Sequence, residues 1–226
     1  MHIEPGLVEG GKIVLSYASA TGALAYAAKL SLDGIRKDGL TALLLRAFIS
    51  SVLVFCFFEV LPHQPVGVSE VHLILGTTLL LIFGVAPAAM GLAVGLLVQG
   101  LFFAPFDLPQ YGMNVTTLLV PLFATAALAS RIIPASTAYV DIGYAQAFKL
   151  SVAYQGGIVV WVGFWALYGQ GVGAENLSSI GSFGAAYMSV VLVEPLLDLG
   201  VLALAKWLKG LQGSSVVEPR LYSAAA

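Results

Sequence analysis

The chain opens Met1-His2, and two further histidines, His63 and His72, complete its set of three. A histidine in second position has chemistry that no internal histidine shares. The α-amine of Met1, the deprotonated amide nitrogen of His2 and the imidazole nitrogen nearer the backbone are adjacent donors. They close a five-membered and then a six-membered chelate ring about one metal, and the planar peptide holds them in one plane. Three corners of a square are then filled. That suits Ni(II) or Cu(II), admits Co(II), and suits Zn(II), which prefers a tetrahedron, badly. The fourth corner has to come from elsewhere in the chain, and His63 and His72 are the imidazoles able to supply it. The chelate requires Met1 to be retained and unacylated, and the bulk of His2 disfavours its removal.

These donors have to be positioned by apolar elements, because little else is present. Of 226 residues 59% are apolar and only 10% are charged, against about 25% charged in an ordinary soluble domain. With a mean hydropathy of +0.93, a soluble fold would have to cover its surface with apolar side chains, so lipid is the expected solvent. The net charge of −2 provides no basic field for phosphates, which excludes nucleic acid as a natural partner. The single cysteine, Cys56, sits in the apolar run Val52–Phe58, so no intrachain disulfide or thiolate cluster is available.

A span uses about 20 residues, and long apolar runs broken by Gly, Pro and charge predict an all-α, polytopic integral membrane protein of about seven transmembrane helices in one bundle. The expected helices cover residues 13–32, 41–61, 71–83, 87–103, 113–129, 144–168 and 180–207, the third being short for a crossing. Residues 1–210 then form one transmembrane domain with an N-terminal metal-binding segment at 1–11, and residues 211–226 read as a flexible cytoplasmic tail. Lys29, Arg36, Lys37, Arg46, Arg131, Lys149, Lys206, Lys209 and Arg220 fall on one side of this arrangement and only Lys12 on the other. Basic residues collect in cytoplasmic loops, which sets the amino terminus outside and the carboxyl terminus inside. Glu4 and Glu9 precede helix 1 and basic residues follow it, the reverse of a cleavable signal peptide, so that helix is expected to stay. Its small-residue pairs, Ala18 with Gly22 and Ala23 with Ala27, suit close packing or docking against another membrane subunit.

Met1-His2-Ile3, the segment Gly67-Val-Ser-Glu-Val-His72-Leu-Ile-Leu-Gly76, and Gln99-Gly-Leu-Phe102 followed by Gly112-Met-Asn114 resemble the CbiM/NikM-type substrate-binding subunits of energy-coupling-factor transporters. The resemblance implies capture of Ni2+ or Co2+ as transported substrate at the outer face of a bacterial or archaeal cytoplasmic membrane, with no organic cofactor. It implies ligation by the Met1 amine, the amide and imidazole of His2, and an imidazole at the position of His72, and so favours His72 over His63. It further implies a coupling membrane subunit, two cytoplasmic ATPases and sometimes a small accessory membrane protein as partners. The chain departs from the family pattern at Glu4-Pro5, at Gly67-Val-Ser-Glu70 and at Ala104-Pro-Phe-Asp107. Those departures leave the ligands in place and bear on metal preference.

A ligating histidine gives its other ring proton to a carboxylate, amide or carbonyl. Gln99 and Asn114 are expected in that role or in interhelical hydrogen bonds. Glu59 and Glu70 stand on the ligand side as candidate cation attractors, and His63 as a residue of the access route. Glu194 and Asp198, four apart on one face of the last helix, are assigned to internal pairing or subunit contact. The chain has no glycine loop ending in Gly-Lys-Ser or Gly-Lys-Thr, so ATP hydrolysis belongs to other chains and this one is not an enzyme. Two other readings compete. A membrane-embedded metal hydrolase needs a His-Glu-x-x-His helix, which the sequence lacks. A stand-alone cation channel or secondary transporter would use carboxylates such as Glu194 and Asp198 along its path.

Overall fold

In the computed structural model, which describes residues 3–208 and 210–224, the long apolar runs are helices. α1 (Ile13–Asp38) and α2 (Leu40–Glu59) are followed by a hairpin of β1 (Gln64–Val66) and β2 (Ser69–Val71). Then come α3 (Gly76–Phe83), α4 (Val85–Phe102), a 3-10 stretch over Pro105–Gln110, α5 (Tyr111–Ile132), α6 (Tyr144–Gln170), α7 (Ala174–Met188) and α8 (Glu194–Leu208). Among the described residues, six helical segments are long and apolar enough to cross a membrane, with α7 and α8 forming one of them. The protein is therefore a polytopic all-α membrane protein, as its hydropathy predicts. Helices satisfy their own backbone groups, which is what a lipid solvent demands. Phe48, Val160 and Trp207 turn more than two thirds of their surface outward, towards that solvent.

The third expected helix is composite. The apolar run 71–83 begins as the end of β2 and continues without helix through residues 72–75, and only the eight residues of α3 are helical. Gly76 lies so close to the ring of Tyr154 that an added Cβ would come within 2.2 Å of it. Tyr154 is in the middle of α6, so α3 starts in the middle of the bundle. At its far end the Glu218 amide donates to the Ile82 carbonyl, 2.8 Å. Hairpin, extended strand and short helix together make one pass.

The hairpin was not anticipated from sequence. Gly67 makes it possible: it has φ +62°, and a Cβ there would lie 2.2 Å from the Ser179 carbonyl of α7. Only glycine meets both demands.

The last expected helix, residues 180–207, is instead two helices joined by a 3-10 turn at Ser189–Leu192. Proline is tolerated in a first helical turn and not in a helix interior, and Pro195 sits at the start of α8.

The tail expected to be flexible is packed over the part described. Val217 is 4% exposed and Leu221 fully buried, Arg220 donates to the Ile133 and Pro134 carbonyls, and the Tyr222 hydroxyl donates to Ala205 O, 2.7 Å. Buried Arg46 of α2 ties the segment to that helix by donating to Ser215 O (2.9 Å), and it also donates to Asp38 at the end of α1 (2.7 Å). Its apolar residues at 217 and 221 account for the order.

α2 and α4 pack closely against each other. Cβ atoms added at Gly91 and Gly95 would stand 2.0 Å from Ser50 Oγ and 2.6 Å from Val54 Cγ1, the small-residue contact that draws membrane helices together. On α1, Ala23 and Ala27 are buried inside the bundle, whereas Ala18 and Gly22 face outward.

Candidate metal centre

The start of the described chain is fastened at the hairpin end of the bundle. Ile3, fully buried, forms an isolated antiparallel bridge with Ser69. Its amide donates to Asn114 Oδ1 on α5, 3.0 Å, and the next amide, that of Glu4, donates to Val68 O, 3.3 Å. Lys12 caps the Tyr168 and Gly169 carbonyls and Gln170 donates to Gly6 O and Leu7 O, so the segment is also held to the end of α6. A buried backbone donor without a partner costs about 1–3 kcal/mol, which makes Asn114 a fixing point for Ile3.

His72 follows β2 directly and is 1% exposed. Residues two apart on an extended chain share a face, and Glu70 accordingly meets His72, with Oε2 2.9 Å from Nε2. The ring of Phe58, from the end of α2, stands edge-on to the imidazole at 5.3 Å, and His63 lies parallel over it at 4.8 Å and 14°. His63 itself is exposed, with Nδ1 3.3 Å from Leu61 O. Glu59 stands beside Phe58, half-buried. Gln99 of α4, 4% exposed, and Asn114 of α5 line a cavity of ≈ 10 Å³ together with Asp107, space for about one water.

The structure thus gathers His63, His72, Glu70, Gln99 and Asn114 at one end of the bundle. Met1 and His2 lie outside the described residues. Among the described residues alone, no group of three or more His, Cys, Asp or Glu is arranged to hold a metal. Glu194 and Asp198 are elsewhere, deep between α3, α6 and α8, each hydrogen-bonded inside the bundle.

This end is acidic. Glu4, Glu59, Glu70 and Asp107 cluster near the imidazoles, and burial, with the charge of Glu70, holds the Glu4 carboxyl above its ordinary pKa. A concave region lined by one sign of charge concentrates counter-ions, here cations. Three members of this end carry no functional signal in the sequence. Ile3 and Ser69 signal nothing by residue type, and Phe58 looks like any apolar residue of a span.

A model of the CbiM family, described as the cobalt uptake substrate-specific transmembrane region, matches residues 2–209. The chain belongs to this family. As a CbiM-family protein it is a membrane component of metal uptake and a transporter component, not an enzyme. A solved structure titled as a crystal structure of a transition metal transporter is 17% identical, covers 95% of each chain and superposes with a TM-score of 0.67. At that identity the likeness concerns the fold. No curated relative matches the chain.

Proposed function

We propose that this CbiM-family protein is the substrate-binding membrane subunit of an ATP-driven energy-coupling-factor importer. It captures Ni2+ or Co2+ at the outer face and delivers it to the cytoplasm. A coupling membrane subunit and two cytoplasmic ATPases, with or without a small accessory membrane protein, supply the driving force. The basic residues gathered at the end of the bundle opposite the imidazoles support a cytoplasmic position for that end.

The observation that carries this reading is the bridge of Ile3 with Ser69. The bridge holds Ile3 against the strand that leads three residues later into His72, which supports the two residues ahead of Ile3 as ligands. The Met1 amine, the His2 amide nitrogen and the His2 imidazole then supply three planar donors, and His72 the fourth. A His72 ring that donates its Nε2 proton to Glu70 presents Nδ1 as the basic nitrogen, the arrangement metal-binding histidines adopt. The stacked His63 is a transfer point between solvent and that site.

The test is metal binding by the purified full chain. One Ni2+ or Co2+ is expected per chain, with the visible band of nickel in planar amine and amide nitrogen. His72→Ala should weaken binding strongly and His63→Ala far less. Equal losses in the two variants would contradict the assignment of the fourth ligand.

A further inference from the structure

Apart from the imidazoles, α8 carries two carboxyls, Glu194 and Asp198, both fully buried. They are one turn apart, so their side chains share a face. Glu194 Oε2 accepts from the Ser151 hydroxyl and from Gln155 Nε2, 2.8 Å, both on α6. Asp198 Oδ1 accepts from the Thr78 hydroxyl on α3. All three donors are neutral. Among the described residues no Lys, Arg or His pairs with either carboxyl; Lys206, further along α8, points outward to Asp141. As carboxylates, two groups so placed inside a lipid-embedded bundle need a cation brought from solution, because an isolated buried ion costs several kcal/mol or more.

The rest of the cluster indicates what brings that charge. Glu194 Oε1, Asp198 Oδ2 and Gln155 Oε1 are buried acceptors with no hydrogen-bond donor, and the Tyr154 and Tyr187 hydroxyls are buried without a partner. Both phenols are near enough to feel the Glu194 charge, and Tyr154 also touches Gly76 at the start of α3. Every available ligand atom is an oxygen, and carboxylates, an amide carbonyl and hydroxyls are the ligands of hard cations. The nitrogen-rich end of the protein offers the opposite chemistry.

We propose that Glu194 and Asp198, with Gln155, Ser151 and Thr78, form a second cation site in the centre of the bundle, built for a small hard cation such as Na+, Li+ or Mg2+. The ion ties α8 to α6 and, through Thr78, to α3, whose chain leads back in six residues to His72. It is a different site from the nickel or cobalt site and is tested without either metal.

The experiment titrates the full chain, purified in N-methyl-D-glucamine buffer at constant ionic strength, with Na+, Li+, Mg2+ and Ca2+ while thermal unfolding is followed. At least one of these ions should raise the melting temperature by several degrees in a saturable manner. The shift should be lost in Glu194→Gln and Asp198→Asn, which keep the side-chain shapes. Infrared spectra of the cation-loaded protein should show ionised carboxylate bands that the variants lack. No saturable shift in the unsubstituted protein overturns the proposal even if neither variant folds. So does a shift that survives both substitutions, or an infrared spectrum in which both carboxyls stay protonated with the cation present, since protons would then supply the missing charge.

Discussion

Ile3 is joined to Ser69 by an antiparallel bridge, so the segment that opens the chain runs beside the strand that ends at His72. Ser69 precedes His72 by three residues, about 10 Å of extended chain. That single pairing brings the beginning of the sequence and a loop histidine some seventy positions later into one neighbourhood.

Asn114 fixes the height of that segment by accepting the Ile3 amide at 3.0 Å. Asn114→Leu leaves a buried donor unpaired, at a cost of about 1–3 kcal/mol. Nickel or cobalt affinity should fall about tenfold while the helical content is unchanged. Equilibrium dialysis alongside circular dichroism measures both quantities, and unaltered affinity would mean that Ile3 is held without Asn114.

Glu70 orients the His72 ring from 2.9 Å. Replacing the hydrogen-bonded partner of a metal-binding histidine costs about 10–100-fold in affinity. Glu70→Gln retains an acceptor and should lose less than Glu70→Leu. If both lose the same, the carboxylate acts through its charge on the approaching cation and not through ring orientation.

The C-terminal segment should contribute to stability. Leu221 is fully buried, and truncating a buried leucine to alanine costs about 2–5 kcal/mol. Leu221→Ala should therefore lower the melting temperature measurably. An unchanged melting temperature would return the segment to the status of a free tail.

Much of the fold was legible because lipid imposes a simple rule: α1, α2, α4, α5 and α6 are apolar runs of span length, and their identity needs no tertiary information. α3 was not legible in full. The run from Val71 to Phe83 is equally apolar whether extended or helical, and periodicity cannot separate the two inside a buried segment. The break before α8 was signalled by Pro195 and passed over because the hydropathy is continuous there. At the candidate site, His63 and His72 stand out together by residue type, and only the family resemblance favours His72. The contact of His72 with Glu70 does not stand out, because it depends on a hairpin whose turn is fixed by Gly67 pressing on α7. Asn114 was recognised as a polar residue of the pattern, yet the group it binds is the Ile3 backbone, which has no side-chain signature. The tail reads as flexible through the polar Ser214, Ser215 and Glu218, but Val217 and Leu221 between and after them are the residues that pack it.

The proposed metal capture requires the opening residues to act as ligands, and lengthening the chain by one residue ahead of Met1 tests that directly. Such an extension removes the primary amine from its place in the chelate and leaves every helix intact. Nickel bound per chain, read by elemental analysis together with the visible absorption band, should fall to background in the extended protein and return when the added residue is cleaved away. Full nickel occupancy with the same band in the extended protein would contradict the account.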